Sequence, residues 1–98
     1  MPSRQLPPAV RRAVGARVKM IREARQMSQA ALARRVGSDP SMVARLESGD
    51  RLPDLGHILA VARELGVPVG YVLEGKGELP ELTPVEPEDA DRRFRRTR

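Results

Sequence analysis

Residues 28–49 read SQAALARRVGSDPSMVARLESG, and this stretch decides the fold. Gln29 to Val36 carries Leu32, Ala33 and Val36 at i, i+1 and i+4, one face of a helix. Gly37 follows, the residue type that tolerates positive φ and so permits a sharp reversal. Asp39 then precedes Pro40. A carboxylate N-cap with proline at the first helical position is a strong start signal: the carboxylate accepts an orphan N–H, and proline has none to lose. The second helix of the pair runs to about Ser48, with Val43 and Leu46 facing inward, and Gly49 supplies a left-handed stop.

The spacing carries more than the composition. Two helices that cross steeply over a short turn need a small side chain at the crossing, here Ala33. They need a turn residue without a Cβ, here Gly37, and apolar anchors on the second helix, here Val43 and Leu46. That is the helix-turn-helix arrangement. The competing reading of the local pattern is an ordinary αα-hairpin within a helical bundle.

The totals bound the rest. The 98 residues suffice for one domain, and only 2% are aromatic, so the core must be aliphatic. Cysteine is absent, which excludes disulfides and thiolate metal sites. No apolar run reaches membrane-spanning length and no signal-peptide core opens the chain, so a reducing, cytoplasmic compartment is the expected location. The net charge of +5 favours a polyanionic partner. Residues 1–7 read as a loose N-terminus. Pro8 then opens a helix to about Gln26, with Val10, Val14, Val18 and Ile21 at helical spacing. Gly15 within it lowers helix propensity by ~1 kcal/mol against Ala. Arg11, Arg12, Arg17, Lys19 and Arg25 lie mostly off the apolar stripe and read as a solvated face.

Ser28 is a good N-cap, although Ala31 stands where a capping box needs an acid. Past Gly49 the loop 50–53 leads to Asp54, which caps a helix over Leu55 to Leu65. Leu55, Ile58, Leu59, Ala62 and Leu65 share one face of it, and Gly66 ends it. A short fifth helix runs through Glu74, with Val69, Val72 and Leu73 apolar, and Gly75 closes the compact part. Five helices on short loops, without period-two alternation, predict an all-α domain over 8–75. Residues 76–98 form a linker and charged tail. Lys76 to Asp91 hold one lysine and six acids, and Arg92 to Arg98 hold five arginines. Pro87 to Arg96 has acids at its start and arginines at its end, as a helix dipole prefers, with Phe94 as the one residue able to dock it.

The chain resembles the phage-repressor (Cro/C1, XRE-type) helix-turn-helix family over roughly Val14 to Gly75. The resemblance rests on VKMIREARQMSQAALARRVG, SMVARLESG, RLPDLGHILAVARELGVP and YVLEG. It implies a five-helix domain whose recognition helix is 40–48, within a helix-turn-helix at 28–49. Pro40, Ser41, Ala44 and Arg45 would then read bases, with Arg45 offering its guanidinium fork to guanine O6 and N7. Pro40, Met42 and Ala44 offer apolar contact alone, which departs from the polar residues common in the family. Ser28 and Gln29 match phosphate-binding positions at a helix start, where N–H groups and dipole favour an anion. Arg51, Arg11 and Arg12 are further phosphate candidates. Arg22 and Glu47 match an ion pair that joins the first helix to the recognition helix.

The motif and the positive charge predict sequence-specific binding to double-stranded DNA, as a homodimer on a two-fold operator; the resemblance implies a regulator of transcription, a repressor, at the nucleoid of a bacterial or phage-type system. Val69, Tyr71 and Val72 are the expected dimer surface. The alternative is an antitoxin-like or adaptor protein that binds a protein partner through residues 77–98, with DNA binding secondary. An enzyme is not expected: there is one histidine, no cysteine, no glycine-rich phosphate loop and no shared carboxylate face. His57 is given no role, and no cofactor or metal is implied.

Overall fold

The computed structural model describes residues 6–85. They form α1 (Pro8–Ala24), α2 (Gln29–Arg35), α3 (Pro40–Ser48), α4 (Leu55–Leu65) and α5 (Val69–Glu74). No strand occurs among the described residues. The tail helix proposed over 87–96 and the docking role of Phe94 lie outside them.

Local chemistry sets most helix ends. The Asp39 carboxylate accepts from the Met42 N–H, the Asp54 carboxylate from His57, and the Ser28 hydroxyl from Ala31. Left-handed glycines at Gly49, Gly66 and Gly75 stop α3, α4 and α5. The first helix ends two residues sooner than its periodicity suggests, because Gln26 turns left-handed at φ 57°. Its N–H and that of Met27 return to the carbonyls of Glu23 and Arg22, which closes the helix end.

Val14, Val18, Ile21, Leu32, Ala33, Val43, Leu46, Val61, Leu65 and Val72 form a core without solvent exposure. Burial of each Val- or Leu-sized side chain stabilises by about 1.5–3 kcal/mol. α1 packs chiefly on α3, α2 packs on α3, and α4 joins α2 to α5. The α1–α3 crossing explains Gly15, whose apparent weakness as a helix former is a packing requirement. A Cβ there would overlap the Leu46 carbonyl and lie 2.6 Å from that of Glu47. α1 thus meets the last turn of α3 backbone to backbone.

Three expectations change. On α4 the buried stripe is Ile58, Val61, Ala62 and Leu65, the i, i+3, i+4, i+7 set. Leu55 and Leu59 are 63% and 44% exposed instead. Leu59 lies one residue, about 100°, round from Ile58, and no other described helix covers it. Val72 is fully buried between α5 and its neighbours, so it has no surface to offer a second subunit. Residues 76–85 are also more than a linker. They return along the domain as a strap, with Leu79, Leu82 and Val85 half-buried on the core. The Val85 N–H donates to the Arg25 carbonyl at 3.1 Å, and Arg25 Nη1 donates to the Thr83 carbonyl at 3.1 Å. A spacing of three residues suits an extended polyproline-type chain, which places the three apolar side chains on one side.

The solvated face assigned to α1 holds for Arg12 and Lys19, which are exposed, and needs the largest correction at the other three. Arg11 Nε donates to the Gly49 carbonyl at 2.9 Å, at the end of α3. Arg17 Nη1 donates to the Val72 carbonyl at 3.0 Å, in the last turns of α5. Arg25 Nε donates to the Leu65 carbonyl at 3.0 Å, at the end of α4. Helix C-termini expose unpaired carbonyls and carry partial negative charge. α1 and its C-cap residue Arg25 therefore supply cations to the ends of three other helices.

Candidate nucleic-acid interface

The recognition-helix candidate α3 is amphipathic by sequence. Val43 and Leu46 point inward and are fully buried, whereas Pro40, Ser41, Ala44 and Arg45 are all exposed. Ala33 of α2 is buried at the crossing, and Gly37 makes the turn at φ 72° with nothing within 4 Å of a Cβ position. The four residues expected to face bases therefore share one open surface.

The brace behind that surface is ionic. Arg22 Nε and Nη2 donate to the two Glu47 carboxylate oxygens at 2.6 and 3.0 Å. The side chains are 9% and 4% exposed. Arg22 Nη1 also donates to the Met27 carbonyl at 2.6 Å, and Gln29 Nε2 donates to Glu47 Oε1 at 3.0 Å. This four-residue network ties α1, the α1–α2 turn, the start of α2 and α3 into one unit. A bidentate pair at this depth fixes orientation more than it adds net stability.

At the start of α3, Ser41 Oγ donates to Asp39 Oδ1 at 2.6 Å. The serine hydroxyl hydrogen is thereby used, and its oxygen faces outward as an acceptor. That bond, then the Met42 N–H, holds the Asp39 carboxyl below its ordinary pKa. Asp54 is lowered in the same way by the backbone N–H and ring of His57. His57 Nδ1 lies 2.9 Å from Asp54 Oδ1, so the lone histidine belongs to the α4 cap.

The expected phosphate contacts separate on inspection. Arg11 donates to the carbonyls of Gly49 and Leu6, so its guanidinium serves the protein. Gln29 has one amide hydrogen on Glu47. Arg12 and Arg51 are exposed and donate no side-chain hydrogen bond among the described residues, and the same holds for Arg45. Ser28 Oγ accepts the Ala31 N–H at 2.9 Å as the α2 cap. Sequence reasoning placed Arg51 in the loop after α3 but missed how that loop is held against the helix. The Asp50 and Arg51 N–H groups return to the Arg45 carbonyl at 3.0 and 3.3 Å, which holds Arg51 beside Arg45. The signal was present in the glycine stop at Gly49, which turns the chain back onto its helix.

Among the described residues, no helix is long and apolar enough to cross a membrane, and no cluster of three or more metal-ligating side chains occurs.

A family profile described as Helix-turn-helix matches residues 18–72, more than half of the chain. No curated protein matches. The fold is similar to that of the P22 c2 repressor protein in complex with synthetic operator 9T, at TM-score 0.63 and 27% identity over 64% of this chain and 96% of that one. It is also similar to the restriction-modification controller protein C.AhdI from Aeromonas hydrophila, at TM-score 0.63 and 33% identity over 65% of this chain and 97% of that one. A hypothetical transcription factor, NHTF from Neisseria, is similar at TM-score 0.60 and 30% identity over 74% and 85% of the two chains. Five helices, the braced and exposed α3 and the profile match agree: the chain belongs to the helix-turn-helix family, in its phage-repressor (Cro/C1, XRE-type) form.

Proposed function

We propose that this DNA-binding transcription regulator is a sequence-specific repressor that acts as a homodimer on a two-fold operator. The observation that carries the reading is the open face of α3. Its polar reader Arg45 has no hydrogen-bond partner in the described protein, while its back is locked by Val43, Leu46 and the Arg22–Glu47 pair. A guanidinium held this way matches guanine O6 and N7 in the major groove. Pro40 and Ala44 add apolar contact, and Ser41 adds an acceptor. Arg51, Arg12, Ser28 and Gln29 engage phosphates, which fix register without reading sequence. Arg11 leaves that set.

Val69 and Tyr71 remain half-exposed candidates for the subunit contact. The exposed Leu55 and Leu59 on α4 join them, in place of Val72. The protein-partner reading of residues 77–98 loses part of its basis, because Leu79, Leu82 and Val85 already pack on their own domain.

Selection of bound duplexes from a random library tests the reading. The expected result is a two-fold sequence with half-site centres about one helical turn, ~34 Å, apart. Enrichment of single half-sites rejects the dimer. Absence of enrichment rejects sequence-specific binding.

A further inference from the structure

α1 is apolar over more of its circumference than the core covers. Val14, Val18 and Ile21 turn inward. Ala9, Val10, Ala13, Ala16, Met20 and Ala24 occupy the neighbouring sector, about 120° wide at 100° per residue. Val10 and Met20 are 38% and 42% exposed, and the four alanines are exposed or half-buried. The one charged side chain in that sector, Arg17, is folded onto the Val72 carbonyl. The exposed charges Arg12, Lys19 and Glu23 share the remaining flank. A surface helix ordinarily turns polar where its core stripe ends. α1 instead offers a second apolar face to solvent.

The path of the chain names the occupant. The strap ends where α1 ends: the Val85 N–H donates to the carbonyl of Arg25, the α1 C-cap. Residues 86–98 therefore start beside Ala24. As a helix, 87–96 spans ~15 Å, enough to run back along α1 from Ala24 to about Val14. Pro87, Ala90, Phe94 and Thr97 recur at i, i+3, i+7 and i+10, an uncharged stripe between the acids and arginines. Phe94 falls ~10 Å along that helix, level with Ala16 and Arg17. The alanines leave room for its ring, and the Met20 thioether is a favourable neighbour for an aromatic edge. Asp91 falls level with the exposed Lys19. A segment tethered this close acts at a high effective concentration. That offsets the marginal stability of so short a helix on its own and places a second copy at a disadvantage.

We propose that residues 87–96 dock on their own chain as a sixth helix, antiparallel to α1, with Phe94 against Met20 and Ala16. Gly15, where α1 meets α3, lies about 160° round the helix from Ala13. The docked helix therefore sits on the side of α1 turned away from α3. Its arginines raise the charge of the chain without adding to the front of α3, and the tail becomes part of the domain instead of an arm for a partner.

The test follows the methionine methyl resonances and the amide exchange of the full chain by NMR. Phe94→Ala shifts the Met20 methyl resonance, which loses the ring, and leaves those of Met27 and Met42 in place. Amides 90–94 exchange ~10-fold or more slowly in the parent than in that variant, the worth of burying one large apolar side chain. Phe94→Leu keeps most of the protection and loses the ring shift. Met20→Asp abolishes the protection from the other side, while the amides of α3 stay protected and so report a folded domain. All of these effects are independent of protein concentration. A Met20 resonance indifferent to Phe94→Ala overturns the proposal, and so do amides 90–94 that exchange equally fast in parent and variant. A ring shift that fades on dilution assigns the face to a second copy and overturns docking within one chain.

Discussion

Four arginines of α1 and its C-cap (Arg11, Arg17, Arg22 and Arg25) and the two around α3 (Arg45 and Arg51) have the same chemistry and opposite uses. Arg11, Arg17, Arg22 and Arg25 all turn onto protein acceptors: the carbonyls of Gly49, Val72, Met27 and Leu65, and the Glu47 carboxylate. Arg45 and Arg51 point outward and donate to none of the described protein. The net charge of +5 counts both sets alike. Charge alone therefore overstates the nucleic-acid surface. What separates the sets is the supply of acceptors nearby: α1 runs past the ends of three helices, whereas the front of α3 faces solvent.

The sharpest way to break this distinction is Arg22→Ala. It strands a Glu47 side chain that is 4% exposed and removes the donor to the Met27 carbonyl. Loss of one partner of a buried pair costs ~3–5 kcal/mol. Urea unfolding is expected to show that loss, and a change under about 1 kcal/mol would mark the pair as a surface contact.

Arg25→Ala comes next. It removes a charge-assisted bond to the end of α4 and one to the strap, Leu65 and Thr83. The expected destabilisation is about 1.5–3 kcal/mol, together with faster proteolysis within residues 76–85. An unchanged unfolding midpoint would return Arg25 to the solvated set.

Much of the fold was legible because helix ends depend on neighbours in sequence. Asp39–Pro40, Gly49, Asp54 and Gly66 each mark a boundary by local bonding, and the structure places boundaries there. The exposed face of α3 follows from the same periodicity that buries Val43 and Leu46. The inward arginines were illegible, since Arg11, Arg17 and Arg25 reach carbonyls 38, 55 and 40 residues away. The orientation of Leu59 was hidden for another reason. α4 is apolar around much of its circumference, and only the placement of α2 and α5 decides which part is covered. The strap was masked by its prolines and acids, which outweigh three leucine- and valine-sized contacts in any composition window.

Smaller effects sharpen the other side. Arg51→Ala should leave stability within ~0.5 kcal/mol. It should weaken binding equally to all sequences and lower the salt slope by about one. A sequence-dependent loss would promote Arg51 to a base reader. Acid provides the gentlest probe. The Asp39 carboxyl is lowered in the folded state, so its stabilising share is full above the ordinary carboxylate range and fades as pH falls below about 4. Asp39→Asn keeps a competent cap but removes that titration. The difference in urea midpoint between the two proteins should shrink steadily from pH 6 to pH 2, and a constant difference would remove Asp39 from the acid response.

The most direct measurement compares Arg45→Ala with the parent chain on its selected duplex and on random DNA, with urea unfolding of both proteins alongside. Affinity for the selected duplex should fall ~10-fold or more per half-site, the worth of a bidentate guanine contact. Affinity for random DNA should change far less, and the unfolding midpoint should stay put. Equal losses on the two duplexes, or a loss that follows lowered stability, would contradict the account.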